Sequence, residues 1–407
     1  MRYFGMSTRS FGPASPGPAF LFTLVAITLV GTMSIHLFLP LLPDVKQSFD
    51  ASDAMVGATF SLALFVMAFS TLAYGSLSDR YGRRPVLMAG LALFCAGALV
   101  SALAPSIEVL LAGRLIQGLG AGCGVTIARA IARDRYGTDS LVTVIAYLTM
   151  ASTLGPTFSP LISGLLVDSL GWRSVLWFSV AAGGLILAAA HRVLPESRPT
   201  EDLAAQSPGF LRNYGTLLKN PSFLGFVLAT GFSSGTFVGV AAAISFLLKD
   251  YLGRSATEFG LYFTLFPSAY ALGSYLGVRL AARTSIEASV LIGALLMALM
   301  VAGQAVVMIA GYVTPLILVI PWSLISIAQG LITPNAQAGA IRVKPQLSGT
   351  ASGIAMFCHF ALGAVFVQIY TAIADGTPMP MVIIMSVGTA LTLAFACLPA
   401  LMKRRRA

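Results

Sequence analysis

GSLSDRYGRRPVL, residues 75–87, sets three arginines and one aspartate around two glycines. The chain on either side of it is apolar: 57% of the 407 residues are hydrophobic and 10% are charged, with a mean hydropathy of +0.86. That composition belongs in a membrane, so the charged stretch reads as a loop between two spans. A bilayer core of about 30 Å takes roughly 20 apolar residues as a helix. Charge-poor runs of that size occur near 20–39, 54–74, 86–104, 109–131, 141–167, 174–194, 223–247, 259–280, 288–311, 315–338, 348–372 and 379–402. The expected fold is therefore all-α and polytopic, with twelve transmembrane helices.

Twelve spans put both termini on one side, and the cations say which side. One set of loops collects Arg2, Arg9, Arg80, Arg83, Arg84, Arg129, Arg133, Arg135, Arg192, Arg198, Arg212, Lys219, Arg279, Arg283, Arg342, Lys344, Lys403, Arg404, Arg405 and Arg406; the other holds Lys46, Arg173, Lys249 and Arg254. By the positive-inside rule the first set and both termini are cytoplasmic, as expected of a multi-pass protein of a bacterial inner membrane. The net charge of +10 is then mostly topology, which argues against nucleic acid as a partner. The first nineteen residues, with Arg, Pro and Ser, lack the pattern of a removable signal peptide. Cys95, Cys123, Cys358 and Cys397 fall inside expected spans without metal-ligand spacing, so neither disulfide, metal nor cofactor is expected.

The polar stretch 195–221, with Glu196, Glu201 and Asp202, divides the chain into a bundle at 1–194, a linker and a bundle at 222–407. The halves echo each other: RLIQGLG at 114–120 answers SIAQGLI at 326–332, and GSLSDRYGRR answers GSYLGVRLAAR from 273. Two related six-helix bundles facing each other suit a transporter that rocks around a site near the bilayer midplane.

Gly75, Leu77, Asp79, Arg80, Gly82, Arg83 and Arg84 resemble the signature of the major facilitator superfamily in the loop between its second and third helices. Arg114, Gln117, Gly118 and Gly120 resemble the fourth-helix motif of its drug:proton antiporter branch. RAIARDRY at 129–136 is similar to the bicyclomycin and chloramphenicol resistance subfamily. LGPTFSPLISG at 154–164, with Gly155, Pro156, Pro160 and Gly164, resembles the antiporter motif of the fifth helix in that subfamily's two-proline form; Ala151, Ser159 and Pro160 stand where the commoner form has glycines. The resemblance implies two pseudo-symmetric bundles and export of drug-like or metabolite molecules in exchange for protons; a monomer is the default expectation, which the resemblance does not supply. No nucleophile elbow, HExxH or Walker loop occurs, so no enzymatic activity is expected. A non-transporting receptor or intramembrane enzyme would need a sensory domain or paired catalytic residues that the chain lacks.

Within the loop, Gly75 and Gly82 permit a tight turn, while Arg80 and Arg83 hold it on an anionic membrane face. Asp79 can accept from a neighbouring helix N-terminus or pair with Arg133 or Arg135 as a conformational latch; the alternative is that these charges only fix topology. Arg114 shares a helix face with Gln117 and Gly118, which suits either a cavity residue or a cation that snorkels to the interface. Thr149, Ser152, Pro156, Ser159, Pro160 and Ser163 form one stripe on the fifth helix, which lines a groove or a helix contact, or merely marks a bend.

SIHLFLPLLP at 34–43 carries the most telling departure. Relatives in the resistance subfamily usually have an acid four residues before the proline that corresponds to Pro40, and here that residue is His36. Asp44, Glu108, Asp168, Asp250 and Glu258 all fall near span ends. The deep ionisable groups are then His36, Arg114 and His359, which are candidates for proton coupling in a neutral or positive cavity. Histidine titrates near pH 6.5 and can carry a proton, or can simply be a hydrogen-bonded interior residue. Thr32, Ser234, Tyr262, Phe266, Tyr270 and Gln329 complete the expected substrate cavity with His36, Arg114, Gln117, Ser152, Pro156 and His359. The missing acid keeps a second function open, a uniporter, facilitator or symporter for a neutral or anionic metabolite.

Overall fold

The computed structural model describes residues 17–136, 138–197 and 210–404, and among them helices are the only regular elements. Arg2, Arg9, Arg198, Glu201, Asp202, Arg405 and Arg406 of the loop tally lie outside the described residues. Among the described residues eleven helices are long and apolar enough to cross a membrane. The first span runs Pro18–Phe49 and the second Asp53–Tyr81. Arg83–Ala102, Ile107–Arg135, Thr138–Leu170 and Arg173–Val193 complete the first six. The seventh span is Pro221–Tyr251, and the ninth to twelfth are Ile286–Ile309, Pro315–Val343, Ser348–Ile373 and Met379–Arg404.

The eighth crossing is made by two helices end to end, Ala256–Phe263 and Leu265–Arg283. Pro267 explains the break: it has no N–H to give Phe263, and its ring crowds that residue's carbonyl. Thr264 turns its own N–H to Leu261 O at 3.3 Å instead. Prolines also reshape the first span, which tightens to a 3₁₀ turn at Leu39–Leu41 and then continues past its expected end to Phe49 with Leu42, Pro43 and Val45 buried. Starts follow polar caps. Ser52, Asn220, Ser255, Ser285 and Thr314 each accept a backbone N–H of the first turn they precede.

The helices pack as two bundles of six, and the repeat in the sequence has a structural counterpart. In the first bundle the fourth span crosses the second at Gly118, where an added Cβ would lie 2.4 Å from Ala63 O; in the other bundle the tenth span crosses the eighth at Gly330, with Tyr270 O at 2.3 Å. Only a residue without a side chain allows backbones so close.

The bundles meet through the second and eleventh spans and through the fifth and eighth. Polar contacts between them gather toward the end that carries Asp44, Lys46, Asp168, Lys249 and Asp250, here termed the lysine–aspartate face. Lys249 Nζ lies 3.4 Å from Asp44 Oδ1 and Lys46 Nζ 3.9 Å from Asp250 Oδ2. Ser245 donates to Leu39 O at 2.8 Å. Gln368 accepts from Ser61 at 2.7 Å and donates to Ala54 O at 3.2 Å. The ion pairs of the opposite, arginine face run within a bundle, as in Arg83–Asp134 and Lys403–Glu287.

Candidate functional site

The opening loop forms a compact polar knot on the arginine face. Gly82 adopts φ 97°, ψ 150°, a backbone reserved in practice for glycine, and this turn separates the second and third spans. Arg83 Nη1 lies 2.5 Å from Asp79 Oδ1 and its Nε 3.0 Å from Asp134 Oδ2; Nη1 also donates to Ser78 Oγ at 2.8 Å. The partner of Asp79 is thus Arg83, not Arg133 or Arg135, because the turn at Gly82 already brings that guanidinium back to it. Arg135 instead donates to Glu196 O at 2.6 Å, and Arg133 is exposed. Glu196 was absent from the expected set. Its carboxylate accepts the backbone N–H groups of Arg83 at 2.9 Å and Arg84 at 3.1 Å, capping the third span. Only Gly82 makes the turn: Gly75, expected to share it, lies inside the helix of the second span with open space around it, because the chain stays helical to Tyr81; Arg80 lies over the ring of Tyr81.

His36 faces the other bundle. Its Nδ1 is 2.9 Å from Thr32 O, and since a carbonyl only accepts, Nδ1 carries the proton and leaves Nε2 free. The ring stands edge-on to Phe263 of the eighth span, centroids 5.9 Å apart. Phe263 opens an aromatic cluster: Phe237 contacts Phe263 and Phe266 and stacks on Trp322 at 6.0 Å. Phe266, a candidate for the substrate cavity, belongs to this cluster, with Phe237, Phe263 and Trp322 outside the expected set. His359, on the eleventh span, shares the hydroxyl of buried Ser234, with Oγ 2.8 Å from Nδ1 and 3.0 Å from Nε2.

Arg114 is not snorkelling. It is 4% exposed, with Nη1 2.6 Å from Gln117 Oε1, Nε 3.4 Å from Thr59 O, and its guanidinium 3.9 Å from the centroid of Phe38. It lines a cleft between the first, second and fourth spans with Ser34, Phe60, Leu64 and Met67. Arg114 and Gln117 therefore belong to the interior of the first bundle. His36 points instead across the bundle interface.

The stripe on the fifth helix divides in two. Ser152 is half-buried and bonds to Leu148 O at 2.9 Å, as hydroxyls do to the preceding turn. Ser159 and Ser163 are fully buried; Ser159 bonds to Gly155 O, and Ser163 reaches Leu37 O of the first span at 2.6 Å. Gly155 lies against Leu29, Met33 and Thr32, so this side is a helix contact. Pro156 is half-buried. Pro160 and Gly164 face the eighth span: an added Cβ on Gly260 would be 2.4 Å from Pro160 O, and one on Gly164 2.3 Å from Ala256 O. The Pro160 and Gly164 half of the antiporter-like motif thus lies on the contact between bundles, and Gly155 on a contact within the first bundle. Tyr262 and Tyr270 are half-buried, and Gln329 is buried with Oε1 unpartnered.

A family model described as the Major Facilitator Superfamily matches residues 24–368. Multidrug resistance protein D of Escherichia coli (strain K12) is 30% identical over 340 residues, covering 82% of this chain and 84% of that protein. A bicyclomycin resistance protein homolog of Haemophilus influenzae is 25% identical over 373 residues, 90% and 92% of the two chains. Among solved structures, a bacterial homolog of the human lysosomal transporter Spinster superposes with a TM-score of 0.74 at 15% identity, covering 95% of this chain and 96% of that one.

Proposed function

The chain belongs to the Major Facilitator Superfamily, and from that premise we propose that it exports small organic molecules across a bacterial inner membrane by alternating access, in exchange for protons. The observation that carries the reading is likeness along most of the chain to proteins named for multidrug and bicyclomycin resistance. In this reading the arginine face is cytoplasmic, the protein works as a monomer, and the bundles 1–194 and 222–407 rock about the linker 195–221. The conformer described, fastened along the lysine–aspartate face, is then the one that takes up substrate from the cytoplasm.

Proton exchange falls to His36. It stands where the subfamily usually has an acid, and its neutral form with Nδ1–H toward Thr32 O has Nε2 to receive a proton. Rocking would move that nitrogen relative to Phe263 across the interface and expose it to either side. Protonation would therefore be tied to the conformational change.

The test uses proteoliposomes with an imposed pH gradient, an internal pH dye and labelled amphipathic solutes. The expected result is solute-driven proton flux in wild type that is lost in His36→Ala. Solute movement at the same rate after the gradient is collapsed would replace exchange with facilitated diffusion.

A further inference from the structure

We propose that the cleft beside Arg114 is the receptor for an oxyanion, the carboxylate of an amphipathic organic substrate. This inference rests on the exporter reading above and names the substrate class that reading leaves open.

Arg114 is a permanent cation, 4% exposed, inside a bundle of apolar helices. Removing such a charge from water costs several kcal/mol unless it is paired. Among the described residues no carboxylate lies within salt-bridge distance of it, in contrast to Arg83, which has two. Its partners are one amide oxygen at 2.6 Å, one carbonyl at 3.4 Å and the face of Phe38 at 3.9 Å. These are neutral groups, and they occupy two of the five N–H donors of a guanidinium.

Gln117 supplies a second, independent sign. Arginine only donates, so the oxygen of the Gln117 amide must be the atom facing Nη1. Nε2, on the same carbon, is buried and has no acceptor. A cation without a counter-ion and an amide donor without an acceptor therefore stand side by side, and each lacks the same thing. A carboxylate with its two oxygens meets both needs.

The walls describe the rest of the ligand. Ile35, Phe60, Leu64 and Met67 line the cleft with Ser34 and Arg114; it is narrow in this conformer, with room for little more than a water-sized group, so it must widen as the bundles rock, and its apolar walls then favour a hydrophobic body over a bare hydrated anion. Leu64 also lies against Gly363 of the eleventh span, so one wall of the cleft takes part in the contact between the bundles.

Binding is measured on the purified full chain in detergent, without any gradient, using naphthylacetate, naphthylacetamide, a naphthylethyl trimethylammonium and inorganic phosphate. Naphthylacetate should bind wild type about tenfold or more tightly than the amide, from a charge-assisted contact. Arg114→Gln should erase that preference. Gln117→Glu, which sets a carboxylate permanently beside the guanidinium, should raise the unfolding temperature and also abolish the preference, so the test does not hang on whether Arg114→Gln folds. Equal affinity for acid and amide, or a preference that survives Gln117→Glu, overturns the proposal. Displacement of naphthylacetate by millimolar inorganic phosphate reduces the site to a simple anion hole and overturns it too. Naphthylacetate that binds yet is not moved in proteoliposomes leaves the site standing and removes export. Movement of the ammonium compound without acid binding does the reverse.

Discussion

Asp168, near the end of the fifth span, accepts the backbone N–H of Thr257 at 2.8 Å and thereby caps a helix of the opposite bundle. Its other oxygen takes the N–H of Ala256 at 3.2 Å. A helix N-terminus leaves its first N–H groups unsatisfied and favours negative charge. A contact of this kind exists only while the two bundles are together on that face.

Asp168→Ala should therefore weaken the closed face by about 0.5–2 kcal/mol, the usual worth of a helix cap. The change is read as faster labelling of Leu161→Cys, beside Gly260 in the contact, by an impermeant maleimide in a background free of the native cysteines. Unchanged labelling would mean that the cap is incidental to closure.

Gly260→Val tests the same contact sterically. A Cβ there would stand 2.4 Å from Pro160 O and 2.6 Å from the Leu161 Cα, backbone atoms that cannot swing aside. The variant is expected to insert normally and to hold the face apart, with strong maleimide labelling and no turnover in proteoliposomes. Normal transport would show that this face need not close.

On the arginine face, Gly82→Ala should cost about 1–3 kcal/mol, because φ 97° and ψ 150° are open to glycine almost alone. The added methyl would also press on Glu196 Oε2 at 2.8 Å. A lowered unfolding temperature checks this, and Gly75→Ala, inside a helix with free space around it, is the control that should hold or slightly raise it.

Asp79→Asn separates stability from mechanism. The side chain is 63% exposed and its pairing with Arg83 is a surface one, worth about 0–1 kcal/mol. Thermal stability should hardly change. If Asp79 serves as a latch in the conformer with the arginine face closed, turnover falls severalfold; wild-type rates in that variant would leave the loop a topological role only.

Much of this was legible in the sequence because apolar length and cation placement are local, additive signals. The twelve runs, the loop at 75–87 and the tie between Gln117 and Gln329 repeats could all be read that way. The break at Thr264 carried a local signal as well, in Pro267, which was read only as part of a span. Other features were not local. Nothing near Glu196 in the chain announces that it caps a helix more than a hundred residues earlier, nor that Phe38 lies under Arg114. The partner of Asp79 was sought among distant arginines, although the turn at Gly82 favours the arginine four residues on. Periodicity on the fifth helix identified a polar stripe but could not say that Ser159 and Ser163 face a neighbouring helix rather than a cavity.

The gathering of cross-bundle contacts on the lysine–aspartate face has a consequence for the population of states. Two cross-bundle ion pairs, the Asp168 cap and the Ser245 and Gln368 bonds all favour one arrangement, so the ensemble is biased before any ligand arrives. A ligand that binds both arrangements equally shifts nothing, however tightly it binds. To turn a 1:99 ratio into 99:1 it must prefer the minor arrangement by roughly 10⁴-fold. A molecule carried at modest affinity falls short of that, and under the exchange proposed above the difference comes from the ion that moves the other way.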